Sequence, residues 1–484
     1  MWEEIPVFLY LMFSILLLPF GYNCLILAYG ALKYKQPKAK RLKSYPQVTI
    51  QLPIFNERSL VKRLLEAISK LEWPRDRLDI QVLDDSTDET VSIINKEVEK
   101  LRKKGFKINV IRRKNRSGFK AGALKNGLAL TKGAYVAIFD ADFVPDRNFL
   151  LETIPHLEGD KSVGFVQARW GHLNRGINRF TETFSIGLDA HHIVDQAGRF
   201  SLGLLMSFNG SAGVLRTEAI KDVGNWESDT LSEDMDISYK MQLNGWKGIY
   251  LRDVVVDGEV PTTMSAFRIQ QSRWSKGSIQ CARKHLLRVW GSPYLSLFQK
   301  IQSTLQLTNY SISLLMMMIV LSGVTLMGYD CLIHPYYIPQ TYFGQVLMDP
   351  RLGILFSICT FCTYVYYYTA LKTQGLSMKR KAPYVGFLAL IGHGMSAICA
   401  LNIVEGIFVR GGVFERVPKH NFTGSLGLLK SRSYGSFMRF QGLEKLLVVY
   451  SALGLYFAYI VNLLPIASYL FIYLAGFYTV SNNI

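Results

Sequence analysis

Cysteine is scarce in this chain. Six occur in 484 residues, Cys24, Cys281, Cys331, Cys359, Cys362 and Cys399, mainly inside apolar stretches where packing is the expected role. The CxxC of Cys359 and Cys362 lies in such a stretch, which argues against metal or redox chemistry there. An RNA-binding motif with interleaved aromatics is also missing, so the net charge of +18 does not point to nucleic acid. The basic residues lie beside apolar segments, where they orient a chain in a membrane and attract anionic headgroups. No small-residue cleavage site follows the first apolar run, Ile5 to Leu32, so it reads as a retained anchor and not a signal peptide. Asn-x-Ser/Thr matches at Asn115, Asn209, Asn309 and Asn421 are frequent by chance.

What is abundant is apolar sequence at both ends. The hydrophobic content is 49%, and the length exceeds one ordinary domain, so a soluble domain between membrane segments is expected. Lys33, Lys35, Lys38, Lys40, Arg41 and Lys43 follow the first run and, by the positive-inside rule, place the next domain in the cytoplasm with the N-terminus outside. From Pro46 to Asp142, short β-branched runs (Val48 to Leu52, Ile80 to Leu83, Ile108 to Ile111, Tyr135 to Phe139) alternate with amphipathic segments. That alternation predicts an α/β domain with a mostly parallel, Rossmann-like sheet. The first helix should bury Leu60, Val61, Leu64, Leu65, Ile68 and Leu71 and stop before Pro74, and Ser86 to Glu89 has the spacing of a capping box for the second. Asp85 and the pair Asp140 and Asp142 then follow strands, at the edge where open α/β sheets bind ligands.

Asp140-Ala-Asp142 offers two carboxylates two residues apart, which suits a hard divalent ion, Mg2+ or Mn2+, shared with diphosphate oxygens. A solvated turn is the plain alternative. Asp85 can accept hydrogen bonds from a nucleotide base or ribose, and Lys120 can meet a phosphate or simply be a surface lysine. In Leu231-Ser-Glu-Asp-Met-Asp236, Asp234 is the candidate general base, with helix capping as the competing role. Arg273 can clamp a diphosphate and Trp274 can face a pyranose ring, or the two form an interfacial anchor.

These motifs and their order resemble the processive family 2 glycosyltransferases, the group of cellulose synthase and hyaluronan synthase. The matching residues are Pro53-Ile-Phe-Asn-Glu57, Val82 to Asp88, Gly118 to Leu124, Phe139 to Phe143 and the QxxRW of Gln270 to Trp274, across nearly the whole chain. The wording around Gln81 to Thr90, Gln167 to Trp170 and Phe208 to Gly213 is most similar to the cellulose synthase-like A mannan synthases. The resemblance implies a GT-A fold, a nucleoside-diphosphate sugar donor (GDP-mannose or UDP-glucose), a divalent metal, and inversion at the anomeric carbon. By matching motif, Pro53, Asn56, Glu57, Asp85, Lys120, Asp140 and Arg273 would meet the nucleotide and its diphosphate, Asp140 and Asp142 the metal, and Asp234 the acceptor proton. Phe208, Asn209, Gly210, Glu233, Gln270 and Trp274 would meet a polysaccharide acceptor. Ser232 stands where the family often shows Thr.

The expected division is an anchor and basic segment at 1–44, the transferase domain at 45–275, an interfacial helix at 276–300 with Arg283, Lys284 and Arg288, and a membrane region at 301–484. Spans are expected at Leu305 to Met327, Leu352 to Leu371, Leu446 to Leu464 and Ile466 to Val480. The segment Tyr384 to Val409 is expected to take a re-entrant or partly interfacial course, because a single crossing would put the basic residues from Arg410 to Lys445 outside. Phe414-Glu-Arg-Val-Pro-Lys419 resembles the family's gating loop, with Lys419 reaching the nucleotide. The leading expectation is a synthase in the cell membrane that elongates and exports a β-linked glycan from a cytoplasmic site. Single-sugar transfer to a lipid, as by ceramide glucosyltransferase, is the alternative, and an inactive export or scaffold subunit is a third reading.

Overall fold

The computed structural model describes residues 4–333, 350–417, 438–460 and 463–482. Its helices are α1 (Glu4–Lys33), α2 (Val61–Ile68), α3 (Thr90–Lys103), α4 (Phe119–Ala129), α5 (Phe149–Gly159), α6 (Arg179–Ala190), α7 (Ala197–Ser201), α8 (Thr217–Asp222), α9 (Glu233–Leu243) and α10 (Met264–Gly291). Beyond them come α11 (Leu297–Leu307), α12 (Ser311–Ile333), α13 (Pro350–Thr373), α14 (Met378–Phe408), α15 (Met438–Ile460) and α16 (Leu464–Ser481). A π-helical turn, His191–Gln196, joins α6 to α7.

Seven strands, β1 (Val48–Ile54), β2 (Leu78–Asp84), β3 (Ile108–Arg112), β4 (Tyr135–Ile138), β5 (Val163–His172), β6 (Gly213–Arg216) and β7 (Lys247–Gly258), form one sheet. Their order is β3-β2-β1-β4-β6-β5-β7. The β1–β2, β2–β3, β1–β4 and β5–β7 pairs are parallel, and β6 lies antiparallel between β4 and β5. Because β6 runs opposite to both neighbours, β5 points the same way as β4, and the carboxyl ends of β1, β2, β4 and β5 open on one edge. Helices cover both faces: Leu64, Leu65 and Ile68 of α2 pack with β1 and β2 in one core, and Leu124 and Leu128 of α4 pack with Val136 and Ile138 in another.

The four expected strands and the apolar face of α2 are found. The expected capping box is not: α3 starts at Thr90 after Glu89 with no side-chain cap, and Asp88 Oδ1 instead accepts from Thr90 N at 2.9 Å. Ser86 Oγ accepts from Asn56 N at 2.9 Å, so it is committed to the neighbouring loop.

Among the described residues, five helices are long and apolar enough to cross a membrane, within α1, α12, α13, α14 and α15, and α16 is a shorter apolar helix. The span expected from Leu305 starts at Ser311, after the separate amphipathic α11. The QxxRW segment lies inside α10, so no interfacial helix begins after Trp274; one 28-residue helix runs from the site outward. The segment Tyr384 to Val409, expected to be re-entrant or partly interfacial, belongs to one unbroken 31-residue helix up to Phe408, α14, about 46 Å long at 1.5 Å per residue, which leaves no re-entrant turn. Both of its ends touch the helices that flank the sheet. Lys381 Nζ pairs with Glu182 at 2.8 Å near the start, and Gln280 Nε2 donates to Val409 O at 2.9 Å just past the end.

Candidate active site

The strand ends and the first turns after them build one cavity. Pro53, Glu57, Asp85, Lys120, Asp140, Asp142, Asn209, Glu233, Asp234, Gln270, Arg273 and Trp274 all line it. Several backbone positions here are left-handed, a conformation most side chains resist: Asn56 (φ 55°), Phe119 (φ 48°) and Ala212 (φ 57°). Each falls in a motif segment, where the chain turns sharply to present its neighbours.

The two aspartates that end β2 have different fates. Asp84 is buried and braces the sheet, accepting from Ser86 N at 3.0 Å and Arg112 Nε at 2.8 Å. Asp85 reaches the cavity, held by both arms of the Arg113 guanidinium. Arg113 also donates to Ser117 O and Phe119 O, so it shapes the turn that starts α4.

That turn is closed by Gly118 (φ 69°), which aims Lys120 inward. Its ammonium lies 2.7 Å from Asp140 Oδ1, 3.7 Å from Glu233 Oε1 and donates to Gly210 O at 2.9 Å. Burial disfavours a charged lysine, but Asp140 and Glu233 outweigh it and hold the Lys120 pKa above its ordinary value. Gly210 (φ 81°) leaves no room for a side chain, since a β-carbon there would stand 2.8 Å from Asp234 Oδ2.

Asp234 sits in the first turn of α9, with Met235 N donating to its Oδ1 at 2.8 Å. Burial and the adjacent Glu233 raise its pKa to about 7, against the opposing pull of Lys120 and Arg273. A carboxyl poised near neutrality can take up or release a proton at working pH. Arg273 projects from α10 with its guanidinium 4.0 Å from the Phe414 ring centre and donates to Glu415 O at 3.3 Å.

Of the described residues expected at the site, Phe208, Asn56 and Gly210 do not line the cavity. Phe208 is buried in the core against Phe165, because strand-edge packing claims its ring. Asn56 braces two loops, with its amide N–H donating to Ser86 Oγ and its Oδ1 accepting from Thr87 N, and does not line the cavity. Lys419 lies outside the described residues. Phe414 and Arg416 do reach the cavity, and Arg116 lies over Phe55 at 3.4 Å. Arg116 and Arg416 were missed, because no local pattern marks an arginine that arrives from another part of the chain; the FxxxxK resemblance flagged only the neighbourhood of Arg416.

Two acidic groups are candidate homes for a divalent cation. At the DxD, Asp142 is buried while the Asp140 side chain is 31% exposed to the cavity and shares only Oδ1 with Lys120. Two hard oxygen donors beside a cation-lined cavity fit Mg2+ or Mn2+. Glu227, Asp229 and Asp236 also come close enough together to hold an ion, but the Lys284 ammonium stands among them, 2.8 Å from Asp229 and 3.0 Å from Asp236, with Glu227 in contact. That cluster already has its cation.

Residues 135–371 match the profile of the glycosyl transferase family group 2. The chain is 39% identical over 317 residues to glucomannan 4-beta-mannosyltransferase 1 of Oryza sativa subsp. japonica, covering 65% of this chain and 59% of that protein. It is 42% identical over 257 residues to glucomannan 4-beta-mannosyltransferase 1 of Cyamopsis tetragonoloba, covering 52% and 49% respectively. The chain thus spans about half the length of the curated relatives it matches. A mannosyltransferase from Pyrobaculum calidifontis, solved with GDP-Man and Mn2+, superposes with a TM-score of 0.52 at 20% identity, covering 75% of this chain and 97% of that one. At that identity the likeness is one of fold. Fold and cavity together define a GT-A architecture joined to several long apolar helices. The chain carries a glycosyl transferase family 2 domain, with its sequence relatives among the glucomannan 4-beta-mannosyltransferases.

Proposed function

We propose that this protein is a membrane-embedded, inverting glycosyltransferase that moves a sugar, mannose foremost, from a nucleoside diphosphate to a growing β-linked glycan of the mannan or glucomannan type. One observation carries the reading: Asp140, Asp142, Lys120, Asp234, Arg273 and Trp274 converge on a single cavity in a domain about 40% identical to glucomannan mannosyltransferases. Asp85 and Glu57 would take the nucleotide, and Asp140 and Asp142 would hold a divalent metal. When bound, that ion would neutralise charge on the diphosphate.

Transfer then follows from charge. The acceptor hydroxyl oxygen bonds to the anomeric carbon, the bond to the diphosphate oxygen breaks, and the hydroxyl proton passes to Asp234. Lys120 and Arg273 stabilise the negative charge that grows on the departing diphosphate. Trp274 offers an apolar face to the acceptor ring, and the segment Phe414 to Arg416 closes over the donor and keeps water out.

The helix α14 lies in the membrane plane in this reading. The support is that its two ends meet the catalytic domain through Lys381 and Val409, which a crossing helix would separate. The strap after it then stays on the catalytic side, in the cytoplasm by the basic residues after α1.

Incubating the purified full chain with GDP-mannose, GDP-glucose and UDP-glucose, each with Mn2+ or Mg2+, tests the proposal. A long β-linked product from GDP-mannose is expected. One sugar per lipid would replace polymerisation with single transfer, and no release of nucleoside diphosphate from any donor would leave an inactive scaffold.

A further inference from the structure

Strand β5 ends on the same sheet edge as the DxD, two strands away from β4, or roughly 10 Å at the spacing of paired strands. Its last residues carry Trp170 and His172, which strand alternation places on one face, and both line the cavity. Trp170 is held rather than free: its Nε1 donates to Ser211 O at 3.2 Å, and its ring packs against Phe143 and His192 with centres 5.0 and 5.1 Å away.

His172 is fixed from behind. Its Nε2 lies 3.0 Å from Asp189 Oδ1, with side chains only 3% and 1% exposed. Asp189 Oδ2 accepts from Arg175 Nη1 at 2.7 Å and from Gln374 Nε2 at 3.0 Å. Burial alone would raise the Asp189 pKa, but the His172 hydrogen bond, the Arg175 charge and the Gln374 hydrogen bond hold it below the ordinary value. An ionised carboxylate on Nε2 selects the tautomer with the proton there, and in that neutral ring the Nδ1 lone pair is an acceptor. Nδ1 has no hydrogen-bond partner among the described residues. Gln374 follows α13, so this wall of the cavity is the one against which the apolar helices dock. The groups suited to a nucleotide diphosphate, Asp85, Lys120 and Asp140, come from β2, α4 and β4 on the other side.

We propose that Trp170 and His172 form an acceptor subsite for a pyranose of the glycan, with the indole facing the ring and His172 Nδ1 accepting a hydrogen bond from a ring hydroxyl, and with Asp189 as the positioning residue. This rests on the glycan-acceptor reading above.

The test uses the full chain with GDP-mannose and β-1,4-linked mannopentaose as the acceptor probe. His172→Gln keeps a donor for Asp189 but removes the Nδ1 acceptor, and His172→Asn puts a polar group back near the Nδ1 position. For His172→Gln the acceptor KM should rise about tenfold, the size of one lost hydrogen bond, with donor KM changed less than twofold; His172→Asn should recover part of it. An acceptor KM within twofold of wild type in both variants, or a loss that falls on donor KM instead, overturns the subsite while wild-type elongation stands. If wild type extends no oligosaccharide, the glycan-acceptor reading fails and the subsite fails with it.

Discussion

Arg416 Nε lies 3.0 Å from Glu57 Oε1, so a residue that follows the long helix α14 closes on the loop that follows the first strand. The Arg416 guanidinium also donates to Asn56 O. Between the helix and this latch stand Gly411 (φ 61°) and Gly412 (φ 149°), and the strap is pinned by Gln280, whose Nε2 donates to Gly411 O at 2.7 Å while its Oε1 accepts from Leu231 N at 2.9 Å. The pinned Gly411 and the Arg416–Glu57 ion pair hold both ends of this strap against the sheet domain.

Arg416→Ala should therefore weaken donor capture, lowering donor kcat/KM about tenfold as one charge-assisted contact is lost. Glu57→Gln should act in the same direction. Steady-state kinetics on GDP-mannose check this; kinetics matching wild type in both variants would remove the latch.

Asp234→Asn should bind donor normally and lose turnover by about two to four orders of magnitude, the range a positioned base supplies. Equilibrium binding of GDP-mannose alongside rate measurement separates the two effects. Turnover above a tenth of wild type would disqualify Asp234 as the base.

The pH profile follows from the raised Asp234 carboxyl, with a pKa of about 7. Below that pH it is protonated and cannot accept the acceptor proton, so kcat/KM should fall about tenfold per unit on the acid side and level off above it. Burial is the larger cause, and the Glu233 charge is the next. Glu233→Gln should accordingly move the acid limb to lower pH. A limb that stays in place, or moves upward, would contradict the assignment.

Gly210→Ala would place a methyl carbon 2.8 Å from Asp234 Oδ2 and 3.2 Å from Lys120 Nζ, on a backbone with φ 81°. Displacing the base by a fraction of an ångström or more should cost about a hundredfold in kcat. Near-wild-type kcat in a folded Gly210→Ala protein would show that the carboxylate position is not critical.

Chelation by EDTA should stop transfer, and added Mn2+ or Mg2+ should restore it. Asp142→Asn should block that restoration, whereas Asp229→Asn should leave the metal requirement unchanged because Lys284 already serves that cluster. The reverse pattern would move the metal to the second acidic group.

The sequence alone determined the strands β1 to β4, the apolar face of α2 and the order of the acidic motifs, because period-two and helical patterns are local and each motif is written in consecutive residues. It also marked Asp140, Asp142, Asp234, Arg273 and Trp274, all of which line the cavity. Phe208 and Asn56, which it also marked, do not line the cavity because core packing and loop bracing claim their side chains, and α10 starts earlier than expected. What only the tertiary structure decided is which distant residues meet: Arg113 on Asp85, Lys284 among three carboxylates, Asp189 behind His172, and Arg416 on Glu57. It also decided that both ends of α14 return to one domain. Such pairings depend on how helices and strand ends are set in space, and charge complementarity across a fold leaves no periodic trace along the chain.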